Sequence, residues 1–477
     1  MSLLEQMRED WNRRAREDAN FYVAFARRRQ DDRDFLASAA EVVGILEQEF
    51  VRLPPAPAAG RRALEIGCGP GRLMLPMSRH FGEIHGVDIS GEMIAMARER
   101  LRDVTQARLH LTGGADLAML AADYFDFAYS YTVFQHIPDP EIVWNYLREA
   151  RRVLRPGGVL CCQLRGAPPL RSETEREAST WTGCYFSGEQ MATFARDNEL
   201  HLVSLTGLDT QYMWTTWLKP ANHRPPRPAM ALKAVTAANS GETRVPARGR
   251  DAVVALWIDG LPAGAHLGNL EVSFGGARTR GCYLSPVSVT GACQMNVRLP
   301  GNTPPGAVAV QLCDEGIAAV PAPCSIEVLP PPPRDPKVLS VSDGVNIASC
   351  FRIEMGGAKV TIEDVERPEE VSFTVAGRPA EFLQFERKDP VASIYEFAFH
   401  LSHKTRLGIQ PLVVEVSGRR LPPLQVEIAG VTEHRQAGQE QHDTEAGGAG
   451  GAPLGPAVVG KRNLARALAR WFHRQKS

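Results

Sequence analysis

No charge of one sign dominates this sequence. Its 54 Lys and Arg residues face 55 Asp and Glu, for a formal net charge of −1 over 477 residues. Bulk attraction to nucleic acid or to an anionic membrane is therefore not expected. Long apolar runs are missing as well, and nothing approaches the roughly 20 residues that span a bilayer. Residues 1–17 mix charges and lack the apolar stretch of a secretory signal, so a cytoplasmic protein is expected. Metal-type cysteine spacing is also absent. The nine cysteines are scattered with no CxxC pair, and no metal site is expected. Cys68, Cys161 and Cys162 read as small buried thiols. Cys282, Cys293, Cys313 and Cys324 lie in one β-rich stretch and would pair only in an exported protein.

What is present is enough apolar residue, 44%, for packed cores, in a chain long enough for three domains. The most informative stretch is residues 63–71, Ala-Leu-Glu-Ile-Gly-Cys-Gly-Pro-Gly, followed by a second apolar run that ends at Asp88. A strand, a glycine-rich turn, a helix and a strand ending in an acid bring backbone amides and one carboxylate to the same end of a parallel sheet. A nucleoside can lie there. Gly67, Gly69 and Gly71 admit a ligand close to the backbone. The Asp88 carboxylate can accept from two ribose hydroxyls at once. Gly71 follows Gly69 by two residues rather than three, which departs from the GxGxxG dinucleotide fingerprint and argues against an NAD enzyme.

Glu65-Ile-Gly67-Cys-Gly69-Pro-Gly71 resembles motif I, E/D-x-G-x-G-x-G, of the class I S-adenosylmethionine-dependent methyltransferases. The likeness continues in order. Residues 72–80 suit the helix after the turn, and 91–101 the next helix, with Met93, Ile94, Ala97 and Leu101 on one face. Residues 110–117 resemble the segment where the family places an acid near the adenine, here Asp116. Residues 125–130 read as a buried fourth strand, and Phe134-Gln-His-Ile-Pro138 as the segment beside the methionine end. Residues 155–158 read as the turn before a fifth strand at 159–164. Residues 200–206 and 211–218 read as the antiparallel ending. The resemblance covers about residues 1–220 and implies a Rossmann-like, doubly wound seven-stranded sheet with S-adenosylmethionine as cofactor.

It also implies a residue set. Glu65, Gly67, Cys68, Gly69, Gly71, Asp88, Ile89, Met93, Asp116, Leu117, Ser130 and Gln135 are the cofactor candidates. Glu65 has the alternative of a strand-end acid bonded only locally, Met93 of a core residue, and Asp116 of a loop cap. Methyl transfer from a sulfonium asks mainly for alignment and control of water, so no nucleophilic triad is expected. His136 is the candidate base because it titrates near neutrality; bonding to backbone is its other reading. Tyr131, Gln163 and Arg165 stand at strand ends facing the same crevice, and Tyr22 lies with Trp11 and Phe25 in a helical cap, all as acceptor-side candidates.

Composition changes at Lys219-Pro220. Residues 221–230 read as a Pro- and Arg-rich linker. Two β-rich stretches follow, 231–329 and 330–429, the second opening on the stiff Pro330–Pro333 joint. Each is near 100 residues and resembles, by pattern alone, bacterial immunoglobulin-like sandwiches. Residues 430–460 are Gln-, Glu-, Gly- and Ala-rich and expected to be disordered. Residues 461–477 form a basic amphipathic pattern suited to an anionic membrane surface, such as the inner face of the membrane, or to a partner groove; packing on this same chain is equally open.

The leading expectation is a methyltransferase acting on a small molecule, lipid or sugar, with no nucleic-acid partner. No Asn/Asp-Pro-Pro-Tyr/Phe segment of the kind amino-methylating nucleic-acid enzymes carry is present. The rival is a cofactor-sensing scaffold whose immunoglobulin-like modules bind a protein or glycan. Nothing in the sequence bears on oligomeric state.

Overall fold

The computed structural model describes residues 2–430, apart from 25–28, 167–179, 182, 222–229, 263, 289–290, 315–316, 320–323, 345–348 and 390–391. The expected linker, the 430–460 segment, the terminal basic helix and Phe25 therefore lie outside the described residues, save for the linker's two ends and Gly430.

The first seven strands are β1 (Arg62–Ile66), β2 (Glu83–Asp88), β3 (Ala107–Leu111), β4 (Phe125–Ser130), β5 (Leu154–Leu164), β6 (His201–Thr206) and β7 (Met213–Leu218). They lie side by side in the order β3-β2-β1-β4-β5-β7-β6. The pairs from β3 through β5 are parallel, and β7 runs antiparallel to both β5 and β6. Every residue of β4 is buried, as expected of a parallel strand covered on both faces. The order reverses between β1 and β4, so the carboxyl ends of β1, β2 and β4 surround a switch-point crevice.

Seven helices matter here: α1 (Leu3–Ala24), α2 (Asp32–Ala37), α3 (Ala40–Gln48), α4 (Met74–Met77), α5 (Gly91–Arg100), α6 (Pro140–Val153) and α7 (Gly188–Asp197). α6 shows why the sequence folds locally as it does. Asp139 caps it by accepting from the Glu141 amide at 2.8 Å, Pro140 occupies the first turn, and Arg151 and Arg152 close the last. Its Val143, Tyr146, Leu147, Ala150 and Val153 form one buried face. α5 buries Met93, Ile94 and Ala97, the expected face. The helix expected at 72–80 is shorter: α4 is one turn, and a 3₁₀ turn, Ser78–His80, completes the segment. The turn expected at 155–158 is instead an irregular opening of β5, with a register shift against β4 and Gly157 at φ 82°.

The sheet does not end at seven strands. Four more, Gly281–Leu284, Ala292–Arg298, Val253–Asp259 and Ala231–Ala237, extend it beyond β6 to eleven. The join is Tyr283 opposite Ser204, reinforced by the Leu267 amide donating to the Leu202 carbonyl at 2.8 Å. Arg196 and Arg280 each donate to the Gly268 carbonyl at 2.7 Å, and buried Arg52 reaches the Leu284 carbonyl at 2.8 Å. Pairing with a further sheet is how an edge strand is relieved of unpaired backbone groups. A six-stranded sheet covers the extension, and one hydrophobic core runs from Leu64 through Leu202 and Leu256 to Val310. The first β-rich stretch is thus continuous with the α/β unit rather than strung beside it.

The second β-rich stretch has its own core of Val360, Phe373, Phe397, Val414 and neighbours between a four-stranded and a six-stranded sheet. Its strands alternate inward apolar and outward polar residues, as in Val371–Val375. It folds back on the rest at Asp364, which takes Arg248 at 2.9 Å and Arg334 at 2.7 Å, with Arg250 and Glu363 paired at 3.0 Å beside it. Among the described residues no helix is long and apolar enough to cross a membrane.

Candidate active site

β1 delivers Glu65 and then the glycine turn into the crevice. Gly67 sits at φ +74°, and a Cβ there would fall 2.2 Å from Val133 Cγ2, so only glycine lets the β1 and β4 loops approach. Gly69, at φ +51°, donates its amide to Asp88 Oδ2 at 2.8 Å. The other oxygen of Asp88 accepts from the Ser90 amide at 2.9 Å. Burial pushes the Asp88 carboxyl up, and the Ser90 and Gly69 amides oppose it. The Ile89 amide opposes it too, and the carboxylate, with about four lone-pair sites, still has capacity for a ligand hydroxyl.

These groups line a cleft of about 850 Å³, counting its open mouth. Glu65, Gly67, Cys68, Gly69, Asp88, Ile89, Met93, Tyr22 and Tyr131 all line it, as the sequence suggested. The remaining candidates stand elsewhere. Gly71 packs towards α5, where a Cβ would meet Leu101 Cδ1 at 3.2 Å. Asp116 accepts from the Ala118 amide at 3.1 Å and so caps its own loop. Leu117 is in the core, and Ser130 is fully buried, tying β4 to β1 through the Ile66 carbonyl at 2.9 Å. Arg165 follows β5, its carbonyl accepting from the Phe186 amide at 2.8 Å.

The acceptor-side polar groups engage one another. Gln163 is fully buried; its Oε1 accepts from the Thr132 amide at 2.9 Å, and its Nε2 faces Gln135 Oε1 at 3.0 Å and the Gln211 carbonyl at 2.8 Å. His136 has Nδ1 at 2.6 Å from the Trp181 carbonyl, which requires a proton there, and Nε2 at 3.2 Å from Gln135 Nε2. Burial pulls its pKa down to about 4 against the Trp181 bond. A neutral imidazole with both nitrogens engaged is a weak base, so the geometry favours the backbone-bonding reading over the catalytic one.

The helical cap expected around Trp11 and Tyr22 is α1, and further residues not singled out in the sequence join it. α1 lies over the cleft with Met7, Trp11 and Val23 in its lining. It is fastened by Ser90 Oγ to Asn12 Oδ1 at 2.7 Å and by Arg14 to Thr180 at 3.1 Å, with Arg14 between Trp11 and Trp181. Thr112 and Gly114 take the place expected of Asp116. Arg72, buried at 4% exposure, lies 5.8 Å from the Tyr131 ring, which in turn stacks on Trp214 at 5.4 Å. Glu41, at the start of α3, is pushed up to about 7 by burial and acts on Tyr131. Burial pushes Glu65 up to about 8, opposed by the Tyr129 hydroxyl at 2.9 Å and by Arg72. Among the described residues no group of His, Cys, Asp and Glu is arranged to hold a metal.

A methyltransferase-domain family profile matches residues 64–162. This segment is a class I methyltransferase domain. Its cofactor is S-adenosylmethionine, and the residues present fit it: the Gly67–Gly69 backbone open to a ligand, a carboxylate with spare lone pairs, and an apolar wall of Ile89 and Met93. Among curated proteins the chain is 28% identical over 158 residues to a ubiquinone biosynthesis O-methyltransferase of Cereibacter sphaeroides, covering 32% of this chain and 63% of that protein. It is 33% identical over 116 residues to the protein of that name in Xanthomonas axonopodis pv. citri, covering 24% and 46%. The chain thus spans less than two thirds of the length of these relatives. Among solved structures it is similar to the geranyl diphosphate C-methyltransferase of Streptomyces coelicolor, at 15% identity and TM-score 0.34, covering 46% of this chain and 98% of that one.

Proposed function

We propose that this protein transfers a methyl group from S-adenosylmethionine to a small-molecule, lipid or sugar acceptor by direct in-line displacement. The observation that carries the reading is Asp88, held by backbone amides of Gly69, Ser90 and Ile89 at the switch-point end of β2 and lining the cleft. Bound there, the cofactor supplies an already activated methyl group, so the protein's part is alignment and exclusion of water. Asp88 accepts the ribose hydroxyls. Ile89 and Met93 pack on the base, Glu65 faces the methionine ammonium, and α1 shuts out solvent. Tyr131 and Arg72 form the side from which the acceptor approaches. The curated relatives are named for oxygen methylation, which favours a hydroxyl acceptor. The two β-rich stretches, 231–329 and 330–429, are proposed as immunoglobulin-like, the first built onto the sheet of the methyltransferase unit at 1–220 rather than standing apart from it.

The test is calorimetric titration with S-adenosylhomocysteine and with NAD, followed by labelled-methyl transfer to fractionated cell extract and mass spectrometry of the product. Binding of S-adenosylhomocysteine with a labelled small molecule is the expected result. Binding with no labelled acceptor would favour the sensing scaffold, and binding of NAD alone would end both readings.

A further inference from the structure

Thr132 is a β-branched residue at φ +55°, and it lines the cofactor cleft. That conformation is a strained one for such a residue and persists only where its surroundings hold it. The holding group is Gln163, whose Oε1 accepts the Thr132 amide at 2.9 Å. Gln163 is itself held from the turn between β6 and β7 by the Gln211 carbonyl at 2.8 Å. The Gln211 side chain, oriented so that both its groups are satisfied, donates to the two Glu386 carboxylate oxygens at 2.7 and 2.8 Å and accepts from the Tyr212 hydroxyl at 2.7 Å. Glu386 belongs to the strand Glu381–Asp389 of the second β-rich stretch. Beside it, Lys388 lies 5.6 Å from the Tyr212 ring and bridges Glu386 at 3.1 Å and Glu396 at 3.4 Å, while Lys359 reaches Glu396 at 3.5 Å. All four charged side chains are only 22–23% exposed. Burial opposes the Lys388 charge, but Glu396 and Glu386 overcome it and raise its pKa.

We propose that the second β-rich stretch is a working part of the methyltransferase site, with Glu386 and Lys388 as positioning residues. They grip the Gln211–Tyr212 turn, and Gln163 passes that grip to the strained Thr132 backbone in the cofactor cleft. The inference rests on the cofactor reading above. A contiguous chain of hydrogen bonds between two places is a route for coupling only if each end responds to the other, and that reciprocity is measurable. Cofactor binding should then steady the dock, and loosening the dock should weaken cofactor binding.

The experiment is hydrogen–deuterium exchange of the full chain with and without S-adenosylhomocysteine, together with its affinity. In the wild type, exchange should slow at 67–72 and 131–133 and also at 211–213 and 381–389. Gln211→Ala and Glu386→Ala should each lose the protection at 381–389, keep it at 67–72, and bind S-adenosylhomocysteine about five-fold or more weakly. Retained protection at 67–72 shows that the variant is folded. If Gln211→Ala does not fold, Glu386→Ala and the wild-type pattern decide. Protection at 67–72 without any at 381–389 in the wild type overturns this proposal alone. Absence of protection at both removes the cofactor reading and this proposal together.

Discussion

The carboxyl ends of β1 and β2 and those of β4 and β5 open into one crevice but are built on opposite plans. At β1 and β2 the polar groups are tied to backbone amides and keep capacity to spare: Asp88 accepts Gly69 and Ser90 and still faces the cleft. At β4 and β5 the side chains spend themselves on each other, Gln163 on Thr132, Gln135 and Gln211, and His136 on Trp181 and Gln135. Spare hydrogen-bonding capacity marks a place to bind a ligand. A saturated buried network marks a place that fixes shape. On the proposed function, the first side would hold the cofactor and the second would set the geometry in which an acceptor meets it.

The largest effect should come where the two sides touch. Gly67→Ala places a methyl group 2.2 Å from Val133 Cγ2 at a positive φ. Left-handed strain and overpacking together should cost about 3–4 kcal/mol. Urea unfolding checks this, and a change below about 1 kcal/mol would mean that the β1 and β4 loops are not locked together. Next comes the saturated side. The unfolded chain takes up the His136 proton near pH 6.5 and the folded chain near 4, so stability present above 6.5 is lost as the pH falls to 4. The loss is on the order of 3 kcal/mol. His136→Asn, whose amide can replace the Nδ1 donor to Trp181, should remove its share and make that limb shallower in melts taken across this range. His266, pulled down to about 3 by burial, should keep the rest. An unchanged limb would place the acid sensitivity elsewhere, His266 being the next buried imidazole with a depressed pKa. With a labelled acceptor in hand, the same variant should lose less than about ten-fold in turnover, whereas a general base would contribute roughly 10²–10⁴.

On the open side, Asp88→Ala should weaken S-adenosylhomocysteine binding by about 2–3 kcal/mol, the range for charge-assisted hydrogen bonds, or roughly 30- to 150-fold. Asp88→Asn, which keeps one acceptor oxygen, should lose less. Equal losses would imply that the aspartate acts by shaping the turn.

What the sequence could and could not reveal follows the same division. The glycine turn and Asp88 were legible because their chemistry is local: a backbone that must come close and an acid at a strand end. Asp116 carried two readings, adenine contact and loop cap, and its bond from the Ala118 amide is the loop cap, while Thr112 and Gly114 line the cleft without any signature. The β-rich character of 231–329 and 330–429 was legible, and strands such as Leu270–Phe274 and Val371–Val375 show the alternation of inward and outward residues that goes with it. The eleven-stranded sheet was not, because edge pairing between β6 and Gly281–Leu284 is made by backbone and carries no residue code. The dock at Gln211 was invisible for a similar reason: it joins residues 175 positions apart.

The smallest effect tests whether the open side responds electrically to its ligand. Glu65 is 3% exposed, and burial pushes its carboxyl up to about 8 despite Tyr129 and Arg72, so near pH 7 it is mostly protonated before the cofactor arrives. An ammonium placed close by favours the carboxylate and lowers that pKa. Cofactor binding at pH 7 should therefore release a fraction of a proton, and less above pH 8, where the free protein has already lost it. Titrations in two buffers of different ionisation enthalpy measure the release directly, and Glu65→Gln should abolish it. Equal heats in both buffers would place the ammonium away from Glu65 and leave this acid, like His136 on the opposite side, a support of the turn rather than a partner of the ligand.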